Sequence, residues 1–131
     1  MAELPDKIMA WQMTAPTRRD KATGEITPGQ LTKVELPPPA LEPQEVLVEV
    51  AGCGVCHTDL GYFYDGVPTV NPPPLTLGHE IAGTVVAGTQ AWVGKEVLIP
   101  AVMPCRQCHL CNSGRGNRCL QQKMPGNSVG A

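Results

Sequence analysis

The chain has 131 residues and a formal charge of −2, from ten Lys and Arg against twelve Asp and Glu. That length suits one soluble domain, and the charge balance excludes the blanket positive field of a general nucleic-acid binder. Gly and Pro, 14 of each, make up about a fifth of the chain, below the share that marks disorder but with enough Pro to argue against long helices. Hydrophobic residues at 42% with few aromatics predict a core of Val, Leu, Ile and Ala, and hence a lean towards β structure.

The opening MAELPDKIMAW places acids and a Pro before any apolar run, and no later stretch has 18 consecutive apolar residues. Neither a secretory leader nor a membrane span is predicted, so the expected compartment is the cytoplasm. Residues 8–13 and 31–36 read as short strands, separated by a polar turn segment, residues 14–30, that carries Pro16, Gly24, Pro28 and Gly29. EVLVEV at residues 45–50 alternates strictly, with Val46, Val48 and Val50 on one face, as a half-buried strand does. Cys53, at the end of that strand, reads as core. Residues 54–64 predict a turn and one short helix, and residues 67–74 a Pro-rich loop that cannot hold a sheet centre. Residues 81–87 and 96–99 are β-branched enough to be strands.

Beyond Pro100 the composition changes. Residues 97–131 hold Arg106, Arg115, Arg118 and Lys123 and no acid, so residues 1–96 carry all twelve acids against six bases. Cys105, Cys108, Cys111 and Cys119 have the spacing CxxCxxCx7C, four thiolates on a compact loop, which is the number that closes a tetrahedral zinc shell. Such a site is worth about 10–16 kcal/mol at neutral pH, enough to order a lobe with little apolar periodicity of its own. Four thiolates on Zn²⁺ leave a local charge of −2, which the nearby bases offset. Four cysteines also suit an iron–sulfur cluster, a phosphate-touching zinc ribbon or redox dithiols. Structural zinc is preferred on ligand type. His109 is read as facing solvent rather than displacing a thiolate.

Two of the three histidines have neighbours suited to chemistry: Cys56-His57-Thr58-Asp59 and Gly78-His79-Glu80. A thiolate and an imidazole from separate segments suit zinc. On residue type alone a Cys in a β domain is more often filler, and a lone His more often a satisfied core or surface residue, so chemistry by itself leaves both pairs open.

GVCHTDL, GHEIAGTVV and CRQCHLCNSGRGNRC, in that order over residues 54–119, resemble the N-terminal catalytic half of the zinc-containing medium-chain alcohol dehydrogenases. The resemblance implies a mainly β fold over residues 1–131: a GroES-like, partly open β-barrel with a structural-zinc lobe at residues 100–120. It implies one zinc held by Cys105, Cys108, Cys111 and Cys119, and a catalytic zinc held by Cys56 and His79 with Glu80 beside it. Asp59 would orient the ring of His79, Gly78 and Gly83 would meet backbone constraints, Thr58 would pass the alcohol proton outward, and His57 would touch the pyrophosphate of NAD or NADP. Phe63 and Val102 would line the substrate pocket, the small Val102 leaving room for a bulky or cyclic alcohol. Zinc brings the pKa of a bound oxygen from about 16 to about 7, a change of about 12 kcal/mol, which readies an alcohol to give up hydride.

Two departures accompany the likeness. Gly61 stands where many members carry the His that ends the proton relay. The family's third protein ligand and its Rossmann domain fall outside these 131 residues, which contain no GxGxxG. MAWQMTAPT, GYFYDGVPTVNPPPLTLGHE and RCLQQKMPGNSVG further resemble those family members that oxidise a ring hydroxyl of a cyclic acyl-CoA with NAD in anaerobic benzoate degradation. The expected partner is therefore a small-molecule alcohol or hydroxyacyl-CoA, with no nucleic acid and no membrane, and a homo-oligomer is expected when full length. The alternatives are a stand-alone zinc-ribbon binding module, in which CHTD and GHE would be idle, a co-chaperonin-like barrel without metal, and a family member acting on a simple alcohol.

Overall fold

The computed structural model describes residues 4–129. In chain order the elements are β1 Ile8–Ala15, β2 Arg18–Arg19, β3 Ile26–Thr27, β4 Gln30–Leu36, β5 Val46–Gly54, α1 His57–Tyr64, β6 Leu75–Thr76, β7 Glu80–Gly88, β8 Glu96–Ile99 and α2 His109–Asn112, with short 3₁₀ turns at Gln90–Trp92 and Gly116–Arg118. The fold is mainly β and its sheets are not closed into a full barrel: one has the order β4-β1-β6, one pairs β2 with β3, and one has the order β5-β7-β8. All named pairings are antiparallel. Among the described residues no helix is long and apolar enough to cross a membrane.

The predicted strands at 8–13, 31–36, 81–87 and 96–99 are present, each within two residues of its expected ends. The polar segment 14–30 is more than a turn. It folds into the β2–β3 hairpin, whose corner is held by Asp20 Oδ1 accepting the Ala22 and Thr23 N–H groups, both at 2.8 Å. β6 sits inside the segment after the Pro-rich loop and pairs Met13 with Leu75. That pair is the centre of the core, Met13 being 1% exposed and Leu75 fully buried. Burial of each is worth about 1.5–3 kcal/mol.

β5 departs from its alternating pattern. Its register with β7 shifts between Leu47 and Val48 and again between Val50 and Gly52. The first bulge leaves Val86 of β7 unpaired and the second leaves Ala51 of β5 unpaired. Burial along β5 ends at Val48, and Val50 is 55% exposed rather than half-buried like Val46 and Val48. The strand also runs four residues beyond its expected end, and Cys53 on that extension is exposed, not core. Gly83 faces one of these bulges, where an added Cβ would collide with the carbonyl of Glu49.

The last pair in this register, Gly54 with Glu80, positions the site. It places Cys56 two residues after β5, at the start of α1, and His79 one residue before β7. Past β8 the chain enters the cysteine lobe, which is closed where Met103 and Lys123 exchange backbone hydrogen bonds of 2.8 and 2.9 Å.

Candidate metal centres

Cys56 caps α1 in extended backbone, and its N–H donates to Asp59 Oδ2 at 3.1 Å, half of a capping box that also puts a carboxylate at the positive end of the helix. The other oxygen, Oδ1, accepts the Gly78 N–H at 3.2 Å and lies 3.5 Å from His79 Nδ1. One carboxylate, 6% exposed, thus joins the helix start to the segment that bears His79, itself 6% exposed. Gly78 reaches this geometry at φ +110°, in the left-handed half of backbone space where Gly is favoured. Among the described residues His79 Nδ1 is buried with no hydrogen-bond partner, and the Asp59 carboxylate faces it at 3.5 Å. An imidazole with Nδ1 turned to a carboxylate presents Nε2 as its donor.

The donor atoms of Cys56, His79 and Glu80 all lie within 4.8 Å of one another. Sulfur, imidazole nitrogen and carboxylate oxygen are the three zinc donor types, so the set fits that ion. Thr58 is half-buried in the first turn of α1, with its Oγ1 accepting from the Cys56 thiol at 3.6 Å. Once Cys56 ionises, the same contact runs the other way, hydroxyl to thiolate. His57 is exposed at the first position of α1.

Phe63 lines a hollow of about 440 Å³ with Trp11, Leu31, Cys53 and Tyr64, and Asp59 and Gly78 also reach its wall. Val102 is not in this lining. It lies 39% exposed just past β8, so the two residues expected to share a substrate pocket are not brought together by this hollow. Trp11 and Leu31, on the paired strands β1 and β4, had no signal in the sequence beyond being apolar.

In the lobe, Cys108 Sγ is 3.5 Å from Cys111 Sγ and 3.9 Å from Cys119 Sγ, and Cys105 Sγ is 3.9 Å from Cys111 Sγ. Sulfurs at the corners of a zinc tetrahedron are about 3.8 Å apart, given Zn–S near 2.3 Å, and a disulfide would need about 2.05 Å. The spacing fits the ion. Backbone N–H groups point at the sulfurs: Cys108 to Cys105 at 3.4 Å, Cys105 to Cys119 at 3.4 Å, and Gln121 to Cys119 at 3.3 Å. The N–H groups of Gln107 and Cys108 hold the Cys105 thiol down at about 6, whereas burial and the adjoining Cys108 thiol push Cys111 up to about 12. Thiols driven apart in this way resist ionising together, and a cation among them removes the conflict. His109 stays exposed on α2, outside the sulfur cluster.

The alcohol dehydrogenase GroES-like domain family matches residues 42–131, more than half of the chain. The L-threonine 3-dehydrogenase of Symbiobacterium thermophilum is 36% identical over 118 residues, covering 86% of this chain and 33% of its own. The geraniol dehydrogenase of Castellaniella defragrans is 41% identical over 95 residues, covering 66% and 23%. Among solved structures, an NAD-dependent alcohol dehydrogenase superposes with a TM-score of 0.74 at 26% identity, covering 95% of this chain and 35% of that one. The chain belongs to the GroES-like domain family of the zinc-type, medium-chain alcohol dehydrogenases. It spans between about a quarter and a third of the length of the curated relatives it matches.

Proposed function

We propose that residues 1–131, with the lobe at 100–120, are the metal-holding GroES-like domain of a zinc-dependent, NAD(P)-linked dehydrogenase that oxidises a secondary, cyclic alcohol to a ketone. The observation that carries this reading is the convergence of Cys56, His79 and Glu80 from two segments, tied together by one buried Asp59. Cys56 and His79 would hold the catalytic ion with Glu80 beside it, and the four lobe cysteines a structural one. Zinc, when bound, supplies Lewis acidity that makes a hydroxyl more acidic and a carbonyl more electrophilic.

The remaining work falls to side chains. Asp59 keeps the ring of His79 turned with Nε2 outward. Thr58, beside the Cys56 sulfur, would take up the hydroxyl proton of the alcohol and hand it on; NAD(P)⁺, when bound, would supply the hydride acceptor, for an overall conversion of alcohol and NAD(P)⁺ to ketone, NAD(P)H and a proton. Gly61 offers no imidazole to continue that relay, so the proton leaves through water or the cofactor ribose. His57, exposed at the helix start, is placed for the anionic pyrophosphate of the cofactor.

For the substrate, the likeness of MAWQMTAPT and RCLQQKMPGNSVG favours a cyclic hydroxyacyl-CoA, specifically 6-hydroxycyclohex-1-ene-1-carbonyl-CoA, with the complete protein a cytoplasmic homo-oligomer. The complete protein, assayed by NADH formation against that ester and against simple alcohols, is expected to prefer the ester and to lose activity when Cys56 is replaced by Ala. Equal activity with short alcohols overturns the substrate, and full activity in metal-free protein overturns the whole reading.

A further inference from the structure

Residues 123–129 form a strap between the two sulfur-bearing regions. At one end Lys123 pairs with Met103 directly after the cysteine lobe. From Met124 the chain winds into a tight turn in which the N–H groups of Asn127, Ser128 and Val129 converge on Met124 O at 3.0–3.3 Å, and Ser128 Oγ accepts the Met124 N–H at 2.9 Å.

The turn presses on the segment that carries His79. Gly126 has φ +73°, and a Cβ there would lie 2.6 Å from Gly78 N, closer than real Cβ atoms come, and 3.0 Å from Gly78 O. Gly78 N–H is the same group that Asp59 Oδ1 accepts. Next to it, Asn127 reaches both other neighbours. Its Nδ2 donates to the hydroxyl of the buried Tyr62 on α1 at 2.6 Å, its Oδ1 accepts the Val70 N–H at 2.8 Å, and its backbone carbonyl accepts the Asn71 N–H at 2.9 Å. Asn71 Nδ2 returns a bond to Ser128 O at 2.9 Å. The strap therefore touches α1, the Pro-rich loop and the His79 segment at once.

We propose that Gly126 and Asn127 are positioning residues for the Cys56, His79 and Glu80 donor set, an inference that rests on the reading of that set as a metal site. Cys56 and His79 come from segments separated by a helix and a Pro-rich loop, so their spacing is fixed by non-covalent ties alone. The β5–β7 pairing at Gly54 and Glu80 is one tie and Asp59 a second, and the strap adds a third. A donor set held at fixed spacing binds metal without first ordering its ligands. The strap also starts at the exit of the lobe, so order in the lobe reaches the donor set through seven residues of chain.

The test uses the intact protein with its metals exchanged for cadmium, read by cadmium-113 NMR, in which the four-thiolate lobe and the mixed-donor site of Cys56 and His79, called one-thiolate for the single thiolate that this chain gives it, resonate apart. Unsubstituted protein is expected to give both resonances; absence of the one-thiolate signal overturns the functional reading, and this inference with it. Gly126→Ala is expected to shift or erase that signal and speed its loss to a chelator by about tenfold or more, with the four-thiolate signal in place. Gly24→Ala, at φ +74° with nothing within 4 Å, carries the same backbone penalty without the contact and should change neither signal. Asn127→Ala, which introduces no clash, should speed release from the one-thiolate site, and Asn127→Asp should restore it, because its carboxylate accepts both the Tyr62 hydroxyl and the Val70 N–H. Release at the unsubstituted rate in Asn127→Ala, or equal loss of both signals in the folded variants, overturns the positioning role even if Gly126→Ala fails to fold.

Discussion

Asp59 Oδ1 and His79 Nδ1 face each other across 3.5 Å in the interior, with the Gly78 N–H donating to the same oxygen. Replacing Asp59 by Asn keeps the shape and removes the charge that makes His79 a stronger donor. Metal held by Cys56, His79 and Glu80 is expected to bind about 10–100-fold more weakly, while metal in the lobe is unaffected. Competition with a chelator measures both, and equal affinities before and after substitution would contradict the role given to Asp59.

Removing the lobe metal should undo structure that no apolar core supports. Cys119 is the one cysteine of the lobe that is fully buried. In Cys111→Ser, the amides of Met103 and Lys123 are expected to lose their hydrogen-exchange protection, while those of β7 keep theirs. Retained protection at Met103 and Lys123 would show that burial, and not metal, orders residues 100–123.

Leu75→Ala leaves a cavity beside Met13 where β6 meets β1. The expected loss is about 2–5 kcal/mol of unfolding free energy, read by denaturant titration. A loss under about 1 kcal/mol, the scale of a surface change, would place the core elsewhere.

Asp20 is exposed, yet the N–H groups of Thr23 and Ala22 hold its carboxyl below the ordinary 3.8. The folded value lies below the unfolded one, so the hairpin corner contributes its stability fully above the unfolded value and loses it as pH falls through the folded value. The Thr23 amide, followed by NMR, should titrate with a midpoint under 3.8, and a midpoint above it would contradict the turn.

In the complete protein, Thr58→Ala should lower kcat by about 10²–10⁴-fold, the range of a lost proton-transfer group, whereas Thr58→Ser should keep most of it. Unchanged kcat and an unchanged pH profile in Thr58→Ala would remove the hydroxyl from the proton path.

The lobe was legible in the sequence because its ligands are local: CxxCxxC and one further Cys close on themselves within fifteen residues. The other donor set was not legible from spacing, since Cys56 and His79 are brought together by the register of Gly54 with Glu80 and by the Asp59 carboxylate, which are tertiary facts. It was reached through resemblance. The alternation of EVLVEV identified β5 but not its faces: burial along the strand ends at Val48, and Val50 and Cys53 are exposed. β2, β3 and β6, at two residues each, are too short to carry any period. The strap's contacts had no signal either: MPGNSVG entered only as part of a resemblance, and nothing in its spacing sets Gly126 against Gly78 or Asn127 against Tyr62.

Cys53 is exposed on the wall of the hollow, and it is the one cysteine among six that belongs to neither donor set. With both sets loaded, it is the thiol left open to a maleimide. A fluorophore attached there would report on whatever enters between Trp11 and Phe63, which gives this chain a built-in attachment point for following ligand entry without adding a new cysteine.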